Sequence, residues 1–126
     1  LAKIFLLALP DELWISNLML ANNICDAQED EDNHRKTIIH FIGKKWALKF
    51  FVIKNILALL VVLILPWLKL APMTVMLTIL IAPIIYKQTR IFLAEQVKTK
   101  TFICAVKILL MGSLIYALTY FIGALI

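Results

Sequence analysis

The sequence predicts an all-α, multi-pass bundle of transmembrane helices, and three observations carry that reading. Hydrophobic residues make up 63% of the 126 residues and the mean hydropathy is +0.93, well above the roughly 45–50% apolar usage of soluble domains. The apolar residues run in blocks long enough to cross the roughly 30 Å hydrocarbon layer of a bilayer. The charges collect between those blocks instead of spreading over a surface. The net charge of +5 flanks the apolar blocks and forms no basic, aromatic-interleaved surface, which argues against nucleic acid as a partner.

Taken in order, residues 1–9 are apolar apart from Lys3, and Pro10 precedes Asp11 and Glu12 in the pattern of a helical first turn. A helix over about 10–30 is expected, about 30 Å long, with Asn22, Asp26 and Asp30 at its far end. A start near Leu1 would put Asp11 and Glu12 inside the membrane, which is costly unless they face a polar cavity. Residues 31–45 form a polar connection. The second span, 46–65, opens on Trp46, suited to an interfacial belt, and ends at Pro66. The third, about 70–86, is short and holds Pro72 and Pro83, whose freed carbonyls need neighbours or water. A basic loop over about 87–101 leads to the last span, 102–126. The basic residues of the 31–45 and 87–101 connections outnumber Lys69 at the opposite turn, so the positive-inside tendency places both connections in the cytoplasm. Cys25 and Cys104 have no metal-binding or disulfide-framework spacing.

The chemistry is expected in the polar island from Asn22 to Thr37. Asn22, Asp26 and Asp30 are four residues apart, so one helical face carries all three, with Asn23 beside them. Such oxygen ligands suit magnesium, which usually takes one or two carboxylates together with substrate phosphates. Arg35 and Lys36 follow as positive charges for phosphate oxygens. An acidic run on its own more often reads as a solvated loop, and Glu29, Glu31 and Asp32 are read that way. Arg35 and Lys36 also serve as positive-inside anchors. An EF-hand reading fails, because the turn glycine and closing glutamate are missing. Lys54 and Asn55 fall well inside the second span, where an ionisable group marks either a functional site or a snorkelling side chain.

The pattern Asn22-Asn23-x-x-Asp26-x-x-x-Asp30, followed by Asn33-x-Arg35-Lys36-Thr37, resembles the second aspartate-rich motif of the UbiA superfamily of membrane prenyltransferases. It is most similar to the branch that prenylates 1,4-dihydroxy-2-naphthoate in menaquinone synthesis. The sequence departs from that branch at Cys25, often arginine, at Glu31, often basic, and at His34, often glycine. The superfamily has about nine helices and two such motifs, so the resemblance implies that residues 1–126 are the C-terminal part of one such domain. The opening at Leu1, with no methionine or signal peptide, agrees with a piece of a longer chain, which is expected to be inactive alone.

The implied function is magnesium-dependent transfer of a polyprenyl group from polyprenyl diphosphate to an aromatic acceptor at the cytoplasmic side of the cell membrane. Asp26 and Asp30 would hold Mg²⁺, with the first motif supplying partner carboxylates. Asn22, Asn23 and Arg35 would contact diphosphate, and Lys36 would stabilise the departing charge. The alternatives are a 4-hydroxybenzoate-like acceptor, or a non-catalytic membrane transport or assembly subunit whose acidic loop binds cations.

Overall fold

The computed structural model describes all 126 residues, Leu1–Ile126, and is built of helices and the turns between them. Helix α1 runs over Ala2–Cys25, α2 over Ala27–Asp32, α3 over Ile38–Ile42 and α4 over Lys44–Ile64. A 3₁₀ helix over Met73–Ile81 leads directly into α5 over Ala82–Ala94, and α6 closes the chain over Phe102–Leu125. Four stretches are long and apolar enough to cross a membrane: α1, α4, the joined span Met73–Ala94, and α6. Helix α1 packs between α4 and α6, and the joined span packs against the same two, so the four spans close a ring.

The interior of this bundle is made of small residues as much as large ones. Ala21, Ala47, Ala58 and Ala105 are buried, whereas Ile15, Met19, Ile56, Leu60, Leu110 and Leu114 are exposed. That distribution suits a bundle in lipid, where large apolar side chains gain nothing by facing inward and small ones let backbones approach. At Gly112 of α6 a Cβ would sit 2.9 Å from the indole ring of Trp14, so only glycine lets α6 pass the fully buried Trp14.

Buried polar groups link the spans. Asn17 of α1 donates from its amide to the Phe51 carbonyl (2.8 Å) and to Asn55 Oδ1 (3.1 Å) of α4, and the Asn55 amide donates to Thr89 Oγ1 of α5 (3.1 Å). At the other end Thr74 donates to the Thr119 carbonyl (2.7 Å), and the Thr78 and Thr119 hydroxyls share a bond of 3.0 Å. Each span is thereby held at its register by side chains that have no water to turn to.

Three boundaries differ from the sequence expectation, one of them the end of the first span at Cys25 instead of about Asp30. The first helix starts at Ala2, not Pro10; Pro10 lies inside it and is buried. Pro10 removes the N–H that would bond the Leu6 carbonyl, and in the same turn the Tyr116 hydroxyl donates to the Leu7 carbonyl at 2.7 Å, tying α6 to α1 beside the proline. The third span runs on to Ala94 instead of ending near Tyr86. Ile85, Thr89 and Phe92 fall on one buried face of α5, while Lys87 and Arg90 are exposed, so these charges do not break the helix. The last connection therefore shrinks to 95–101, whereas the one between the first two spans lengthens to 26–43 and contains α2 and α3.

Candidate functional site

The polar island sits where α1 ends. Helix α1 stops at Cys25, and Asp26, with φ −92° and ψ 2°, links it to α2. A straight helix through Asp30 is therefore not what forms: the acid-rich segment leaves the apolar packing that supports α1. The four-residue spacing survives the break, because the Asp26 N–H donates to the Asn22 carbonyl (3.0 Å) and the Asp30 N–H to the Asp26 carbonyl (2.8 Å).

Asn22 and Asp26 do converge. Lys98, in the loop between α5 and α6, donates its ammonium to Asp26 Oδ2 at 2.7 Å and also to Asn22 Oδ1. Its charge lies 5.6 Å from the Phe102 ring centroid, which steadies the side chain over the site. Asn22 and Asp26 thus present two hard oxygens to a single positive charge. Asp30 lies one turn on, with its side chain only 13% exposed, facing Arg35 Nη1 at 3.9 Å.

The end of α2 explains the approach of Arg35. The His34 N–H donates to the Glu31 carbonyl (3.1 Å) and the Arg35 N–H to the Asp30 carbonyl (2.7 Å), the paired bonds of a Schellman cap. Position 34 takes the left-handed conformation such a cap needs, φ 58°, where glycine is the residue of least strain.

Of the remaining expected site residues, Asn23 stays beside Asn22, the two lining a cavity of about 240 Å³ with Phe102, and Lys36 does not join them. Lys36 is exposed and makes no side-chain bond or ion pair, so it stands apart from the aspartates. Asn23 lines a groove of about 430 Å³ between α1 and α4, together with Glu12, Ser16 and Lys54. Sequence reading missed Lys98, which lies 72 residues from Asp26 along the chain; the only signal available was an unassigned lysine in a loop on the expected side.

No three His, Cys, Asp or Glu side chains converge closely enough to hold a metal on their own. The donor set nevertheless fits a magnesium ion of the kind that takes one or two carboxylates and completes its shell with phosphate and water: Asn22 Oδ1 and Asp26 Oδ2 already meet at one cation, the Lys98 ammonium. Comparison of the chain with family models, with curated proteins and with solved structures finds no match.

Proposed function

We propose that the chain is the diphosphate-binding C-terminal part of a UbiA-like membrane prenyltransferase, transferring a polyprenyl group to an aromatic acceptor, 1,4-dihydroxy-2-naphthoate by the resemblance of its motif. One observation supports the reading: at the end of a membrane-length helix, Asn22 Oδ1 and Asp26 Oδ2 converge on the Lys98 ammonium, with Asp30 one turn beyond beside Arg35. Such an arrangement serves a ligand whose tail lies in lipid and whose head is a charged diphosphate.

Asp26 and Asp30 would hold Mg²⁺, which when bound neutralises diphosphate and improves it as a leaving group. The chain's own cations do the complementary work: Lys98, released from Asp26, and Arg35 beside Asp30 are placed to meet phosphate oxygens, the guanidinium by two parallel bonds. Lys36 lies farther out and draws the anion toward the site. The apolar faces of α1 and α4 exclude water from the allylic carbon as it loses diphosphate and gains positive character. In this proposal the island faces the cytoplasm.

The test is reconstitution of the full-length protein in liposomes with labelled farnesyl or longer polyprenyl diphosphate and each of two acceptors. Prenylated naphthoate with release of diphosphate is the expected outcome. Prenylation of 4-hydroxybenzoate in its place would move the protein to another branch, and no transfer to either acceptor would overturn the reading.

A further inference from the structure

Between Asp32 and Glu95 the chain has no acidic residue, and three of its cations in that stretch stand together where α4 begins. Lys44, Lys45 and Lys49 are exposed, and none of them is in an ion pair. The partly buried acids of the neighbouring island, Asp26 and Asp30, already face Lys98 and Arg35. Lys45 and Lys49 are one turn apart on α4, on the side turned away from the buried Ala47, Phe51 and Asn55. Trp46 lies beside them, and Lys49 Nζ stands 4.5 Å from its ring centroid, so the lysine folds back over the indole toward the start of the helix. Phe50 stacks loosely on the same indole, with centroids 6.5 Å apart, and Phe41 of α3 is exposed nearby in the chain. Gly43, with φ 82°, turns the chain between α3 and α4, and a Cβ there would meet nothing within 4 Å, which leaves the corner open.

Unpaired ammonium groups beside exposed aromatic rings suit the boundary between headgroups and acyl chains: the rings belong in the apolar layer and the charges at its edge. A nucleic acid or an acidic protein segment would match the lysines and leave Trp46 and Phe50 in water. From this arrangement we infer that the first two turns of α4 form a seat for an anionic phospholipid, whose phosphate oxygens meet Lys45 and Lys49 and whose acyl chains lie along Trp46, Phe50 and the exposed Ile53. At the other end of α4 the turn that carries Trp67 has Lys69 as its single cation, so the seat serves one leaflet. The inference stands apart from the prenyl-transfer reading and gives the lipid no part in it.

Native mass spectrometry of the full-length protein in neutral detergent, titrated with phosphatidylglycerol and with phosphatidylcholine of the same acyl chains, tests the seat. The unaltered protein should bind the first phosphatidylglycerol at least about tenfold more tightly than phosphatidylcholine, and Lys45→Met and Lys49→Met should each cut that preference by about fivefold. Lys45→Arg with Lys49→Arg should keep it. Lys87→Met with Lys100→Met removes as much charge elsewhere and should leave it unchanged. Phosphatidylcholine binding should be the same in every variant, which reports an intact fold. No preference for phosphatidylglycerol in the unaltered protein would overturn the inference, as would an equal loss in Lys45→Met with Lys49→Met and in Lys87→Met with Lys100→Met, which would mean diffuse attraction without a seat. Displacement of the lipid by glycerophosphate or polyglutamate as effective as by phosphatidylglycerol would overturn it in favour of a soluble anion.

Discussion

Replacing Lys98 by methionine removes one charge from the site and keeps the stem that packs by Phe102. In the resting structure the ammonium holds Asp26 Oδ2 at 2.7 Å and Asn22 Oδ1 as well, with the Lys98 side chain 45% exposed and that of Asp26 23% exposed. Exposed ion pairs contribute about 0.2–1 kcal/mol. A two-acceptor bond on a carboxylate this far out of water belongs at the upper end, about 1 kcal/mol. A divalent cation that binds Asp26 must first displace the ammonium, so Lys98→Met should tighten cation binding by about fivefold, the factor that 1 kcal/mol represents. Loss of the bond should cost no more than about 1 kcal/mol of stability. The assay is titration of the full-length protein with Mn²⁺ as a spectroscopic stand-in for Mg²⁺, read by electron paramagnetic resonance without prenyl diphosphate. Unchanged or weaker Mn²⁺ binding in Lys98→Met would refute the argument that the lysine and the metal share the Asn22 and Asp26 oxygens.

Other consequences of the structure can be checked on stability. Gly112→Val forces side-chain atoms into the Trp14 ring, which a Cβ alone would already meet at 2.9 Å; overpacking of this kind costs about 1–3 kcal/mol, measurable by thermal unfolding in detergent. Asn55→Leu breaks the bridge from Asn17 to Thr89 and should cost about 0.6–2 kcal/mol; a double-mutant cycle with Asn17→Leu should show coupling, and strict additivity would deny the bridge. His34→Gly relieves the left-handed strain at φ 58° and should stabilise the α2 cap by about 1 kcal/mol, whereas a loss of stability would mean that the imidazole makes a compensating contact.

The features that were legible in the sequence are those set by local pattern. The apolar runs of α4 and α6 announced themselves by length, and Pro66 marked the end of α4, whereas Pro72, expected inside the third span, stands just before it. The spacing of Asn22 and Asp26 foretold a shared face, and the structure brings their oxygens to one point. What escaped depended on distant partners. Pro10 reads locally as a helix start, whereas in the structure α1 runs through it and buries it in the bundle. Asp11 and Glu12 looked like interfacial acids, yet a helix beginning at Ala2 carries both into the membrane, where Glu12 lines a polar groove and Asp11 a cleft beside Tyr116 and Tyr120. Lys87 and Arg90 looked like loop charges, although the spacing of Ile85, Thr89 and Phe92 already contained the helical face that continues α5. The bonds from Lys98 to Asp26 and from Lys54 to Ser16 span 72 and 38 residues, and no local pattern encodes them.

The central claim is that Asp26 and Asp30 hold the metal on which transfer depends. It is tested most directly by assaying magnesium-dependent transfer of a labelled polyprenyl group by the full-length protein, comparing the unaltered protein with Asp26→Asn and Asp30→Asn. Each substitution keeps side-chain size and removes the charge. The account predicts that each lowers the rate at saturating substrate by at least about a hundredfold, the scale of losing one electrostatic stabiliser of the transition state, and that excess Mg²⁺ recovers part of it. Undiminished magnesium-dependent transfer in both variants would contradict it.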